Sequence, residues 1–482
     1  MSARLLIIGL DGADPGLLAR WSADGSLPAI QALQQRGHTG TLSTPPGLGD
    51  DAAWPCFYTG ESVGNHGRYF WKQLAPNGRR LELSCGRLPA TPPFWSRISA
   101  DRRTIILDLP KVPLWRSASG IQLCDWLVHG RDYPQALSHP ADLAGRVIGE
   151  FGTAPVSLCD EVMPPLDQNE IAAMAEHLCR SVAMKRDATC RYLAEDDWEL
   201  MISVFKEAHC AGHLLWHLVD PAHLGERADE NPREPVKSVY QALDRAVGEI
   251  VEKAGPQTSI LLFTPLGMAR NITGNHLMAP LAEAINRTHR ASLGPVARAS
   301  AATARAMIPR VMIPRAMIPW GRLSRWREPF SLCRTLPHNE VSGALRLNVI
   351  GRDPGGMVAA GNYHQVCRQL AQDLGELRDA KTGRGIVERI LLSQEVFAGR
   401  AASTLPDLFI VWKRDHPIGD AFSPRYGVIC ARPEQHPRSG NHIAGGRYTV
   451  AGPARDRWQW GDVDISDLAR LFLEAACARM AA

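Results

Sequence analysis

No run in this sequence approaches the roughly 20 consecutive apolar residues that a membrane-crossing helix needs, so no membrane partner is expected. No sign of charge dominates: 54 Lys and Arg stand against 50 Asp and Glu, a net charge of +4. That balance argues against a nucleic-acid partner. None of the 11 cysteines forms a CxxC pair. They are scattered, many in apolar or helical runs (Cys179, Cys190, Cys477), which points to a reduced, cytoplasmic protein with buried thiols. Met1-Ser2-Ala3 leads straight into "RLLIIGLDG", an apolar run too short for a secretory segment and better read as a first strand. The oligomeric state leaves no mark.

What is present is an ordinary globular composition. The 482 residues are 45% hydrophobic and 22% charged, enough for a large core. Apolar runs at 4–10, 104–110, 199–205, 259–265 and 407–412 read as strands. Between them, 15–37, 168–195, 236–254 and 361–376 read as helices. Strands alternating with amphipathic helices predict an α/β fold, a mostly parallel sheet with helices on both faces. In such sheets chemistry gathers at the carboxyl ends of strands, here Asp11, the stretch Glu207 to His213, and Pro265. Residues 289–328 differ. They are rich in Ala, Arg, Met and Pro and carry "AMIPRVMIPRAMIPW", whose Pro309, Pro314 and Pro319 forbid a regular helix. This segment reads as a connector, or alternatively as a Met-lined lid or partner surface.

Several phrases together resemble one family. "LLIIGLDGADPGLLARWSADGSLPAIQALQQRG" is similar to an opening strand, metal-ligand Asp and first helix. "AAWPCFYTGESVGNHG" resembles the segment after a nucleophile, and "HLLWHLVDP" the stretch after a D-x-x-x-H metal pair. "NEVSGALRLNVIGRDPGG", "YHQVCRQLAQDLGELRDAKTGRGIVERI" and "SGNHIAGGRYTVAGP" follow in order. By these the chain resembles the type I phosphodiesterase/nucleotide pyrophosphatase family of the alkaline phosphatase superfamily, nearly end to end. The resemblance implies a single alkaline-phosphatase-like domain over 1–482, with insertions or lid segments at 72–165 and 270–335. It also implies two metal ions that clamp the attacking and leaving oxygens of a phosphoryl transfer, and a Thr or Ser nucleophile.

Carried over residue by residue, the pattern departs at its centre. Asp11 matches the first metal-binding Asp. Asp50 falls in the nucleophile slot, nine residues before Thr59, with Trp54 four residues further on supporting the register; Asp51 beside it is not expected to share that geometry. Where the family has D-x-x-x-H, the sequence reads "HCAGH": His209 replaces the Asp and His213 stays. On a helix the i, i+4 spacing puts both imidazoles on one face. His217 extends the row in a supporting position. His442, in "SGNHIAGG", matches the last metal His. The late Asp-His pair is gone, with Pro265 and Leu266 in its place, and neither side chain binds metal. Asp415 and His416, in "RDHPIGD", follow a different strand and read as a decoy; His276 has no matching motif.

The two sites have thus diverged unequally. His209, His213 and His442 with one carboxylate make a tetrahedral zinc set, whereas the second site keeps only Asp11 and Asp50. One zinc is expected, a second metal less so, because three imidazoles lack the negative field that holds a second cation. Asp50 is then the fourth ligand or a general base, ahead of a nucleophile forming an acyl phosphate. The leading expectation is a divergent metal-dependent hydrolase or transferase acting on a small-molecule or carrier-bound substrate. Two alternatives stay open: a non-catalytic binding or scaffold protein with a structural zinc, and a conventional two-metal phosphodiesterase with ligands recruited from Asp415 and His416.

Overall fold

The computed structural model describes residues 4–75, 78, 80–84, 91–97, 103–116, 120–127, 135–155, 166–195, 198–220, 234–292, 331–337, 341–431, 438–457 and 461–477. Most of the 289–328 segment lies outside the described residues. The chain forms two compact units, one of residues 1–61, 87–271 and 436–482, the other of 62–86 and 272–435. No helix among the described residues is long and apolar enough to cross a membrane.

The first unit is built on a nine-stranded sheet. Its centre is Leu5–Leu10, a run with all six residues buried, as a strand covered on both faces requires. This strand pairs in parallel with Trp198–Phe205 on one side and Ser259–Thr264 on the other. Arg103–Leu107 and Gly120–Cys124 continue the parallel arrangement. Gly446–Ala451 and Leu137–His139 run antiparallel to their neighbours. The α/β sheet predicted from the strand–helix alternation is therefore present, and mostly parallel. Its register aligns three strand ends. Leu10 lies opposite Phe205, and Gly9 opposite Phe263, so the residues after these strands emerge side by side at one edge.

Two expectations need correction. The helix expected over 15–37 is two helices, Pro15–Ala23 and Pro28–Arg36. Gly25 turns through φ +81° between them, and Pro28 opens the second helix where its missing N–H costs nothing. The strand over 407–412 exists as Leu408–Trp412 but is not part of the parallel sheet. It belongs to the second unit, in an antiparallel four-stranded sheet with Cys333–Thr335, Ser342–Leu347 and Val387–Leu392. An apolar run does not say which sheet it joins; that depends on partners far away in sequence. In the second unit, Leu345, Leu347, Ile410 and Trp412 pack against Leu281 and Ile285 of the helix Met278–Ser292 and Leu370 of the helix Tyr363–Gly375.

The helix Gln168–Leu193 starts on a capping box in which Asp167 accepts from the N–H of Glu170, while the Glu170 carboxylate accepts from the N–H of Asp167. Its buried face, Leu178, Val182, Lys185 and Thr189, follows helical spacing. Lys185 is fully buried because it meets Asp108, which is also 3.2 Å from Lys206 and accepts from the N–H groups of Trp126 and Leu127. Burial by itself would raise the Asp108 pKa; the two ammonium groups outweigh it and hold the carboxyl below its ordinary range. Removing one member of a buried ion group leaves uncompensated charge, at about 3–5 kcal/mol. Asp108→Ala is therefore expected to lower stability by about that much, read as a lower midpoint in urea unfolding. A shift well under 1 kcal/mol would show that the lysines find water instead.

Candidate metal centre

The strand ends set up the site. Asp11 follows Leu10 directly, and its backbone N–H donates to the Phe205 carbonyl (2.8 Å). Gly12 then turns with φ +63°, and a Cβ there would lie 2.8 Å from the Cα of His209. Only glycine lets the loop approach the next helix this closely. That helix is Glu207–Leu215, so His209 and His213 do share a helical face. It packs on the short strand Gly440–Ile443, where a Cβ on Gly440 would collide with the Gly212 carbonyl oxygen. The bare contact between Gly212 and Gly440 brings His442 up to the helix face.

The three imidazoles converge. Ring centroids are 4.6 Å apart for His209–His213, 4.6 Å for His209–His442 and 4.7 Å for His213–His442. All three are buried. One ligand atom from each lies within 4.8 Å of the others. His213 Nδ1 is 2.9 Å from the Gly440 carbonyl. With the proton on Nδ1 this bond leaves the Nε2 lone pair free to bind, the arrangement that fixes tautomer and ring direction in metal-binding histidines. Burial drives the His213 pKa well below its ordinary value, helped by Arg438 and the other two rings. Burial and His209 lower that of His442 to about 4, against the raising influence of Asp50 and Asp11. Both rings are therefore neutral near pH 7, as metal binding demands. Three buried imidazoles fit zinc in donor type and number.

Asp50 and Asp51 open the helix Asp50–Thr59, where the partial positive charge of the N-terminus favours carboxylates. Asp50 Oδ1 lies 3.7 Å from His442 Nε2. Asp11 Oδ1 accepts from Trp54 Nε1 (2.8 Å), and Oδ2 lies 3.1 Å from His209 Nδ1. Asp11 thus lies against His209, and it also forms a second possible cluster with Asp50 and His209. Pro265 and Leu266, at the late strand's end, are buried and offer no donor. The chain after them is pinned by Asp14, which accepts from Met268 N–H (3.0 Å) while also capping the helix Pro15–Ala23 through Leu17 N–H.

The other histidines singled out from the sequence lie elsewhere. His217 sits in the short helical turn Trp216–Leu218, outside both clusters. His276 and the Asp415–His416 pair belong to the second unit; His416 Nδ1 is 2.7 Å from Asp415 Oδ1. Sequence reasoning missed Lys111. This buried residue follows the strand Arg103–Leu107 with φ +58°. Its ammonium lies 3.1 Å from Asp51 Oδ1 and 3.7 Å from Asp50 Oδ2. Its place just beyond a strand's carboxyl end was the available signal. Asp51, set aside from sequence, shares this cation with Asp50.

Comparison with known proteins agrees with this architecture. Phosphonoacetate hydrolase from Sinorhizobium meliloti 1021, solved in complex with phosphonoformate, superposes with a TM-score of 0.54 at 13% identity, covering 99% of this chain and 95% of that one. Murine ectonucleotide pyrophosphatase/phosphodiesterase 5 gives 0.49 at 10% identity, covering 98% and 95%. At such identities the first likeness speaks for the fold, the alkaline-phosphatase-like α/β arrangement expected from the sequence. No curated protein sequence matches the chain. The profile of one family, however, matches residues 5–435. The chain belongs to the type I phosphodiesterase/nucleotide pyrophosphatase family, a family of metal-dependent hydrolases.

Proposed function

We propose that this protein is a hydrolase or transferase working with a single zinc held by His209, His213 and His442, with Asp50 as the fourth ligand or as the general base. The observation that carries this reading is the convergence of three buried imidazoles at 4.6–4.7 Å, with Asp50 at 3.7 Å from one of them. Zinc, when bound, supplies a Lewis acid that polarises a substrate oxygen and acidifies water. The chain's own residues do the rest. His213 is oriented by the Gly440 carbonyl, Asp11 is held by Trp54, and its other carboxylate oxygen lies against His209. Asp50 holds or takes a proton at Oδ1, on the side facing His442. The substrate class is a small-molecule or carrier-bound ester, amide, phosphate or sulfate. The free cysteines among the described residues suit a cytoplasmic location.

A second reading has an observation in its favour, namely the cluster of Asp11, Asp50 and His209, which would suit a second ion. It does not need Asp415 and His416. Metal content separates the two. One zinc per chain after dialysis, with weak turnover of a nitrophenyl phosphodiester, is the expected result. A two-metal clamp contributes several kcal/mol at the transition state, so its absence costs orders of magnitude in rate. Robust turnover that requires two ions per chain would overturn the single-zinc reading.

A further inference from the structure

We propose that Lys111 is the fixed cation of this site, filling by its own charge the part that a second divalent ion would otherwise play, and so limiting the centre to one ion. The inference rests on the single-zinc reading. Its starting point is placement. Lys111 is buried, and its ammonium contacts two carboxylates, Asp51 at 3.1 Å and Asp50 at 3.7 Å. The other lysines near the strand ends are engaged elsewhere: Lys185 and Lys206 with Asp108, and Lys206 also 3.8 Å from Asp125. A lysine left unpaired in such surroundings would be strongly disfavoured, so the carboxylates and the ammonium support each other.

The backbone points the same way. Lys111 adopts φ +58°, a left-handed conformation uncommon for a residue with a side chain. Its carbonyl accepts from Tyr58 Oη (3.1 Å), a residue of the same helix that begins with Asp50. The turn carrying the ammonium is thus tied to the helix carrying the carboxylates. The charges lead to the same limit. Asp50 and Asp51 already share the ammonium of Lys111. With Lys111 present, a second divalent ion beside Asp50 would meet a like charge at close range, in surroundings that screen it poorly. Pro265 and Leu266 add no donor to hold it there.

The test uses zinc alone, titrated calorimetrically into the metal-free protein, with metal content after dialysis as a second readout. Lys111→Gly removes the charge and suits the left-handed backbone; because it also takes a cation from the buried Asp50 and Asp51, circular dichroism first establishes that the variant folds. The parent is expected to bind one zinc per chain and Lys111→Gly two, the second at the cluster of Asp11, Asp50 and His209. Lys111→Arg keeps the charge and should bind one. If Lys111→Gly still binds one zinc with unchanged affinity, the inference fails and Lys111 is left as a substrate contact or a structural residue. If Lys111→Arg takes up two, shape rather than charge excludes the ion, and the inference fails as well. If instead the parent itself binds none or two, it is the single-zinc reading that falls.

Discussion

Alanine at His213 or His442 is expected to strip the protein of zinc. In the proposed site each ring supplies one of three nitrogen donors, and the described cluster offers no nearby spare of the same kind. Dropping from three protein imidazoles to two should weaken zinc binding by at least two orders of magnitude, since even outer-sphere partners are each worth about 10–100-fold. His213→Ala should be the harsher change, because it also removes the bond to the Gly440 carbonyl that ties the helix Glu207–Leu215 to the strand carrying His442. The measurement is elemental zinc per chain after dialysis against a weak chelator, with circular dichroism to show that the fold survives. If both variants keep one full equivalent, the metal is not where these rings converge.

Replacing Asp50 tests the chemistry rather than the metal. Asp50→Thr restores the residue type that the family resemblance implies for a nucleophile, yet no gain in phosphodiester turnover is expected. A hydroxyl needs a metal or an adjacent base to attack at neutral pH, and with Pro265 and Leu266 in place of the late ligands no second metal ion is expected to clamp the phosphoryl group. The change also takes a carboxylate from beside His442 and from Lys111, so zinc should bind more weakly. Asp50→Asn keeps the shape and loses the charge. On the physiological substrate it should cost about 10²–10⁴ in kcat, the usual worth of a positioned acid or base. A rise in phosphodiester turnover for Asp50→Thr well above the parent would mean that the second site still works. Full activity for Asp50→Asn would remove Asp50 from both base and ligand roles.

Much of the site was legible because its residues come in short motifs. Asp11 sits one residue past a strand whose apolar run marks it; His209 and His213 are spaced for one helix face; His442 lies in a glycine-flanked phrase. Each depends on local sequence. Lys111 and Asp51 were not legible in the same way. Their meeting joins segments some 60 residues apart, through a left-handed turn that lysine rarely adopts, and the one signal in "DLPKVPLW" is its place at the end of an apolar run. The split of the long first helix was written in Gly25 and Pro28, but helical periodicity on both sides concealed it.

The sequence by itself determined the strand–helix alternation, the family phrases in order, and which side chains are candidate donors, because burial patterns and motif spacing are properties of neighbouring residues. Only the tertiary structure decided how those donors combine. The register of Leu5–Leu10 between Trp198–Phe205 and Ser259–Thr264 aligned the strand ends. The close approach of Gly212 and Gly440 brought His442 to the helix of His209 and His213. Asp11 was set beside His209 by Trp54, and Leu408–Trp412 was assigned to an antiparallel sheet of its own unit. These are contacts between residues distant in the chain, settled by packing and backbone pairing that no short stretch of sequence contains.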